Sequence, residues 1–263
     1  MRSPFTLHAA CLLAMITTLI MLPLRLPAQQ VSVDVHAHRG GAGLAPENTL
    51  AAFRNALAMG VDVVEMDLHV TADGEVVVIH DPTLERTTTG RGYVRATALA
   101  DLQRLDAGSW FSAQFAGERV PTLRAVLDLV RGSGNNQVRL NIETKYEPSV
   151  PAPPQDFEER ALRVIREAGM TDRVIIQSFY YPSLARVKTL DRSVLTAALR
   201  AATDATVDAV HRAGIPIVPW TVDDPTQVER LIEMGIGTLR SDGIITNHPH
   251  RLIQVLRAKG LRR

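Results

Sequence analysis

Two carboxylates stand two positions apart in an apolar stretch of the sequence, Glu65 and Asp67. Alternate residues of a strand share a face, so a strand here places both on one side. Carboxylates in apolar surroundings repel each other and lose hydration, so both ionise only beside a compensating cation. A divalent cation with oxygen ligands, Ca²⁺ or Mg²⁺, is the natural partner, and a solvated sheet edge is the alternative. Glu143 ends another predicted strand and is the candidate third ligand.

Two histidines and two cationic residues follow predicted strands. His38 and Arg39 come after the first strand, and His80 closes a later one. Histidines suit a general acid and a general base near neutral pH. The planar fork of Arg39 suits a phosphate, and Lys145 either binds a phosphate or pairs with Glu143. Each residue alone is compatible with a structural role, and their joint placement beside the two carboxylates favours an active site.

The first strand also permits a different metal site. Asp34-Val35-His36-Ala37-His38 is similar to the Asp-x-His-x-His strand of zinc amidohydrolases, where His36 and His38 would be ligands. The acidic partners that follow do not fit a histidine-rich zinc site, which favours His36 as a core residue one layer below the rim. Cys11 is the only cysteine, and it lies in the N-terminal apolar segment, so disulfides and thiolate sites are excluded from the remainder.

The residues above must be positioned by the secondary structure around them. Predicted strands and helices alternate along the chain, which favours a parallel sheet covered by helices. Strands are predicted at Val31–His36, Val61–Leu68, Val76–His80, Val138–Glu143, Val174–Phe179, Val194–Leu199, Ile215–Thr221 and Gly243–Thr246. Helices are predicted at Thr49–Met59, Thr122–Val130, Asp156–Ala168, Pro182–Thr189, Ala205–Ala213, Pro225–Met234 and Pro249–Lys259.

One strand breaks the alternation. Thr71-Ala72-Asp73-Gly74 separates two β-rich runs, and Asp-Gly in such a position is typical of a tight hairpin. The strand Val76–His80 is therefore expected to run antiparallel to its predecessor. It would begin an insertion at about residues 71–117.

The N-terminal segment and the charge balance bear on location and partners. Residues 1–28 combine Arg2, an apolar run of about 16 residues and a small residue at Ala28. This pattern predicts a cleaved signal peptide and a periplasmic or secreted protein of residues 29–263, with no stable membrane span after cleavage. An uncleaved membrane anchor is the alternative. The chain has 29 Lys and Arg against 28 Asp and Glu without a basic stretch, so nucleic acid is not an expected partner.

Taken together, the motifs resemble the glycerophosphodiester phosphodiesterase family over about residues 33–255. The family-like sequence runs, in order, are His38-Arg39-Gly40, Pro46-Glu47-Asn48-Thr49, Glu65-x-Asp67, Asp73-Gly74, His80-Asp81-Pro82, Arg86-Thr87-Thr88, Gly90-x-Gly92, Glu143-x-Lys145, Gln177-Ser178-Phe179, Trp220-Thr221-Val222-Asp223 and Asp242-Gly243-Ile244-Ile245-Thr246-Asn247-x-Pro249.

The resemblance implies a TIM (β/α) barrel with a small insertion after the second strand. It implies hydrolysis of a small-molecule glycerophosphodiester to sn-glycerol 3-phosphate and an alcohol. The implied roles are one divalent cation on Glu65, Asp67 and Glu143, acid–base catalysis by His38 and His80, and substrate or phosphate binding by Arg39, Lys145, Glu47, Asn48, Phe179 and Trp220. Which histidine is the acid stays open, as does attack by water or by the glycerol 2-hydroxyl.

The sequence departs from the family after Leu199, where only Arg200-Ala201-Ala202-Thr203-Asp204 precedes the next predicted helix. We expect a barrel that lacks one β/α unit near residues 200–205. Three alternatives remain at this level: a lysophospholipase D-like or phospholipase D-like lyase on the same barrel, a phosphodiester-binding protein without catalysis, and a zinc amidohydrolase.

Overall fold

A single sheet forms the centre of the fold. The computed structural model describes residues 32–148, 150, 152–198, 211–212 and 215–262. Within these residues the sheet order is β6-β5-β4-β2-β1-β7, with every neighbouring pair parallel, and β3 pairs antiparallel with β2. The strands are β1 (Asp34–Ala37), β2 (Val63–Val70), β3 (Val76–Val78), β4 (Arg139–Thr144), β5 (Val174–Ser178), β6 (Leu195–Ala198) and β7 (Gly243–Thr246).

Helices follow the strands in the alternation that the sequence predicts. They are α1 (Leu50–Met59), α2 (Leu99–Leu102), α3 (Leu123–Gly132), α4 (Phe157–Glu167), α5 (Tyr181–Leu190), α6 (Pro225–Glu233) and α7 (Pro249–Ala258). Thr49 and Thr122 begin α1 and α3, and each hydroxyl accepts a backbone N–H of the first turn. In α3 the buried residues Leu123, Val126, Leu127 and Val130 recur at helical spacing and pack into the main core. The predicted α/β class is confirmed.

The predicted hairpin is confirmed as well. In the β2–β3 register, Leu68 faces Val78 and Val70 faces Val76. Gly74 adopts a φ of 87° in the turn, a left-handed conformation that glycine adopts without steric cost. The insertion that follows has a small core of its own, separate from the main core. It consists of Val77, Ile79, Leu84, Val94, Leu102, Ala107 and Val120.

The predicted strand Ile215–Thr221 is an irregular extended segment beside β7. Its carbonyls at Ile217 and Pro219 accept the N–H groups of Gly243 and Ile245, at 3.2 and 3.0 Å, and the N–H of Val222 donates back to Ile245. Pro219 has no N–H, so a regular ladder cannot form through it. The segment still pairs with β7 through these hydrogen bonds.

Three predictions fall on residues outside the described part of the chain. These are the signal peptide at residues 1–28, the missing β/α unit near residues 200–205 and, except for residues 211–212, the helix Ala205–Ala213. Among the described residues, no helix is long and apolar enough to cross a membrane.

Candidate active site

Three buried carboxylates converge where β2 and β4 lie side by side, with Glu65 and Asp67 on β2 and Glu143 near the C-terminal end of β4. Strand alternation turns Glu65 and Asp67 to one face of β2, and the parallel register places Asp67 directly opposite Glu143. One carboxylate oxygen from each residue lies within 4.8 Å of the others. The exposed fractions of the three residues are only 1%, 1% and 7%. Such a set of hard oxygen donors fits a divalent cation such as Ca²⁺ or Mg²⁺.

The electrostatics of the triad show why a cation fits. Burial, reinforced by the charge of Asp67, raises the pKa of Glu65 well above its ordinary value and that of Glu143 to about 7. Burial also opposes ionisation of Asp67, but His80, Lys145 and Arg39 outweigh it and lower the pKa of that carboxyl. Three buried carboxylates this close together therefore repel one another when ionised, and added positive charge would relieve that repulsion.

Two cationic side chains border the triad. Lys145 Nζ lies 3.0 Å from Glu143 Oε1 and 3.9 Å from Asp67 Oδ1. Burial opposes its charge, but these carboxylates raise the pKa of Lys145 overall. Arg39 Nε lies 3.4 Å from Asp67 Oδ2, and the Arg39 backbone N–H donates to Glu65 Oε2 at 2.7 Å. Both cations thus lie beside the triad and offset part of its negative charge.

His38 sits in the short helical turn after β1, held by a polar chain from the far end of the sequence. Its Nδ1–H donates to Asn247 Oδ1 at 2.7 Å. The Asn247 side-chain amide donates in turn to Asp223 Oδ2 at 2.7 Å, which fixes the orientation of the amide. The proton therefore resides on Nδ1, and Nε2 carries the free lone pair. Burial and then the neighbouring Arg39 lower the pKa of His38, so the ring is neutral near pH 7.

His80 lies across the pocket and has a different partner. Its Nδ1–H donates to Asp81 Oδ1 at 2.6 Å, and its Nε2 accepts from Lys145 Nζ at 3.2 Å. A carboxylate at Nδ1 orients the ring and complements a positive charge on it. The two histidines are thus distinguished by their partners, since an amide oxygen faces His38 and a carboxylate faces His80.

Glu47 and Asn48 support the site from the loop before α1. Asn48 has a φ of 58°, and its side-chain amide donates to Asp67 Oδ2 at 2.9 Å. Glu47 Oε1 accepts from Arg39 Nη1 at 2.9 Å and also binds Arg86. Both residues contact side chains of the site, and neither lines the pocket itself.

An open pocket of about 100 Å³ unites these groups. Phe179 and Trp220 form one wall, with their ring centroids 5.2 Å apart in an edge-to-face arrangement. The lining residues are His38, Arg39, Glu65, His80, Glu143, Lys145, Gln177, Phe179, Trp220, Thr221 and Ile245. Every sequence-predicted site residue except Asp67, Glu47 and Asn48 therefore lines one cavity, and these three contact its walls from behind.

The structure also brings into the site residues to which the sequence analysis assigned no role, among them Gln177, Asn247 and Asp223. Gln177 donates to Glu65 Oε1 at 3.1 Å, while Asn247 and Asp223 hold His38. All three stand in the motifs quoted above, which was the available signal. Their partners are separated from them by 112, 209 and 24 positions along the chain, so spacing alone could not reveal the contacts.

His36 lies beneath this site as a buried residue without a hydrogen-bond partner for its Nδ1. Burial, then Arg139, lowers the pKa of His36 to about 3, so it is neutral across the physiological range. Among the described residues, the one group of three or more side chains able to hold a metal is the acidic triad, without His36. This placement agrees with the core assignment and not with a zinc ligand.

Comparison with known proteins now identifies the family. Two segments, residues 38–205 and 192–251, match the glycerophosphoryl diester phosphodiesterase family. A glycerophosphodiester phosphodiesterase of Caldanaerobacter subterraneus subsp. tengcongensis is 37% identical over 250 residues, covering 86% of this chain and 98% of that protein. One of Bacillus subtilis is 32% identical over 255 residues, covering 81% and 83%.

A solved structure supports the same conclusion. A phosphodiesterase of Oleispira antarctica, in complex with the product sn-glycerol-3-phosphate, superimposes with a TM-score of 0.75 at 28% identity, covering 85% of this chain and 96% of the other. This likeness confirms the predicted barrel fold class, and both the family prediction and the assignment as an enzyme hold. The chain belongs to the glycerophosphoryl diester phosphodiesterase family.

Proposed function

We propose that this protein hydrolyses glycerophosphodiesters to sn-glycerol 3-phosphate and an alcohol, with one divalent cation, Ca²⁺ or Mg²⁺, on Glu65, Asp67 and Glu143. The observation that carries the proposal is the convergence of these carboxylates, two differently partnered histidines and two cations on one pocket. A bound cation would supply charge stabilisation at the phosphoryl oxygens. The Oleispira relative, with its bound product, supports this substrate class.

Phosphate binding is assigned to Arg39 and Lys145. Both side chains are largely buried and already paired with carboxylates. They therefore have little bound water to lose when a phosphodiester approaches them. Their charges would neutralise the negative charge that builds on the phosphoryl oxygens in the transition state. Lys145 would turn part of its contact from His80 Nε2 to the phosphate, which frees that ring nitrogen for proton transfer.

Proton transfer is divided between the two histidines. His38 is neutral with a free Nε2, so it accepts the proton of the attacking hydroxyl as that oxygen bonds to phosphorus. Once Lys145 has turned to the phosphate, His80 takes a second proton from solvent at Nε2, with the Asp81 carboxylate at Nδ1 complementing the charge. It donates that Nε2 proton to the alcohol oxygen as the phosphorus–oxygen bond to it breaks. The protons balance, because one histidine gains what the other loses and solvent restores both. With water as the attacking group, the products form in this one step. With the glycerol 2-hydroxyl, the same proton transfers give a cyclic phosphate, which water opens in a second step as the two histidines exchange roles.

A second candidate is favoured by the exposed aromatic run Phe179-Tyr180-Tyr181 beside the pocket, with exposed fractions of 50, 47 and 46%. Aromatic surface of this kind suits the acyl chain of a lysophospholipid, which stays on the glycerol when the head-group alcohol leaves. The alternative activity is that of a lysophospholipase D-like or phospholipase D-like lyase, acting on lysophospholipid. Turnover of lysophosphatidylcholine faster than of glycerophosphocholine, or release of a cyclic phosphate, would favour it.

The site of action is proposed from the N-terminal pattern alone. Residues 1–28 direct export, and the protein acts in the periplasm or outside the cell. N-terminal sequencing of the protein recovered from the periplasmic fraction tests this. A start near Gln29 supports it, and an intact N-terminus in the membrane fraction supports an anchor instead.

The activity is tested on purified residues 29–263 by measuring release of glycerol 3-phosphate from glycerophosphocholine. The assay runs in EDTA and with added Ca²⁺ or Mg²⁺. Glu65→Gln removes one ligand charge from the pocket, and Glu167→Gln is the matched control on the exposed face of α4. Metal-dependent release that Glu65→Gln abolishes and Glu167→Gln preserves supports the proposal. If the protein binds glycerophosphocholine but releases no glycerol 3-phosphate with any metal, the proposed activity is refuted and a binding protein takes its place.

A further inference from the structure

One arginine of the insertion forms an ion-pair bridge at the edge of the site. Arg86 donates from Nε and Nη2 to the two carboxylate oxygens of Asp81, at 2.6 and 2.9 Å. It donates from Nη1 and Nη2 to the two oxygens of Glu47, both at 2.8 Å. Both contacts are therefore bidentate, the geometry in which the guanidinium–carboxylate pair is strongest.

Each carboxylate of the bridge also holds a residue of the pocket. Asp81 accepts from His80 Nδ1, and Glu47 accepts from Arg39 Nη1. One continuous chain thus runs from His80 through Asp81, Arg86 and Glu47 to Arg39. The proposed acid and a proposed phosphate ligand are joined through a residue whose four hydrogen bonds here go to Asp81 and Glu47.

Arg86 is poorly suited to bind the phosphate directly. Four of its hydrogen bonds go to the two carboxylates, which neutralise its charge. It does not line the pocket. Although burial opposes ionisation of Glu47 and Asp81, the hydrogen bonds of Arg86 lower the pKa of both, in agreement with a firmly held bridge.

We propose that Arg86 is a positioning residue that locks the His80 ring through Asp81 and the Arg39 guanidinium through Glu47. The insertion thereby takes part in assembling the pocket, beyond covering the barrel. The consequence for catalysis rests on the proposed function, whereas the consequence for the His80 ring does not. A single exposed ion pair on the surface would contribute little to holding these residues in place. Arg86 differs because it makes bidentate contacts with two carboxylates, each of which also holds a residue of the pocket.

The first test reads the His80 ring directly by heteronuclear NMR on protein with isotope-labelled histidine. The wild type is expected to show His80 protonated at Nδ1, with that proton in slow exchange because Asp81 accepts it. Arg86→Gln should lose this protected proton. Arg104→Gln is the control, since Arg104 forms an exposed ion pair with Asp101 on the same insertion. An unchanged His80 signal in Arg86→Gln overturns the proposal.

The second test is kinetic. Arg86→Gln is expected to lower kcat by about tenfold or more, the usual range for a group that orients a catalytic residue. The loss should become smaller in an Asp81→Asn background, because the part that runs through Asp81 to His80 is already gone and only the part through Glu47 remains. Losses that simply multiply in the double variant contradict the proposal. A wild type without turnover would refute the proposed function, while the NMR result still decides the role of Arg86.

Arg86→Lys covers the case in which Arg86→Gln fails to fold. Lysine keeps the charge but cannot contact both carboxylates with a planar fork. The proposal expects the protected His80 proton and kcat to fall in this folded variant as well. Full retention of both overturns it.

Discussion

Replacing Glu143 by Gln should stabilise the metal-free protein at alkaline pH. Glu143 has a pKa of about 7 in the folded protein against an ordinary value of 4.5, with burial as the main cause. The folded state therefore holds this proton more tightly than the unfolded state, and stability falls as pH rises from 4.5 to 7. At about 1.4 kcal/mol per pKa unit, the ionised carboxylate costs about 3 kcal/mol above pH 7. Glutamine stays neutral and avoids this cost.

The measurement is the free energy of unfolding from urea titrations in EDTA, at about pH 4.5 and pH 8. Glu143→Gln should exceed the wild type by up to about 3 kcal/mol at the higher pH and by little at the lower one. Glu167→Gln, whose side chain is 53% exposed, should match the wild type at both.

A divalent cation should reverse that order. Ligand at about 1,000 times its Kd stabilises a protein by about 4.1 kcal/mol, which exceeds the advantage of the variant, and the variant lacks one carboxylate for binding it. A Glu143→Gln variant that is less stable than the wild type in EDTA at the higher pH would refute the assignment of a strained acidic triad. An equal gain from metal in both proteins would refute Glu143 as a ligand.

Three further predictions concern the histidines. Burial and Arg39 lower the pKa of His38, so the loss of kcat/KM at acidic pH should have its midpoint below pH 6.5. A midpoint above pH 6.5 would contradict His38 as the base. Asn247→Ala should lower kcat by about 10- to 100-fold with a smaller change in KM, since Asn247 orients His38 without lining the pocket, and an unchanged kcat would exclude that role. The pKa of His36 is about 3 in the folded protein against an ordinary value of 6.5. As pH drops below 6.5, the unfolded state therefore takes up a proton that the folded state does not, and the free energy of unfolding falls. His36→Asn should remove about 1.4 kcal/mol per pH unit from that fall, as measured by urea unfolding between pH 6.5 and 4.5, and an unchanged slope would contradict a buried neutral ring.

Local rules predicted the part of the site that depends on strands. The period of two placed Glu65 and Asp67 on one face, and the convergence of parallel strand ends brought Glu143 opposite Asp67. The Asp73-Gly74 turn predicted the hairpin, and with it the return of His80 to the mouth of the sheet. These inferences succeed because each depends on neighbouring residues or on a general property of parallel sheets.

Contacts that close the structure over long separations could not be predicted in the same way. Asn247 reaches His38 because β7 pairs with β1, at a separation of 209 residues. Arg86 reaches Glu47 across 39 residues, from an insertion whose path the sequence does not specify. The prolines of the 215–222 segment were visible, but their effect on the ladder with β7 depends on a register that only the fold supplies.

The central claim is that His38 takes a proton and His80 gives one at this pocket. The most direct test compares His38→Ala and His80→Ala on glycerophosphocholine and on a glycerophosphodiester of p-nitrophenol, a leaving group that departs without protonation. We predict that both variants lose turnover of glycerophosphocholine, and that only His80→Ala recovers on the p-nitrophenyl substrate. Recovery of His38→Ala instead, or equal losses on both substrates, would contradict the assignment.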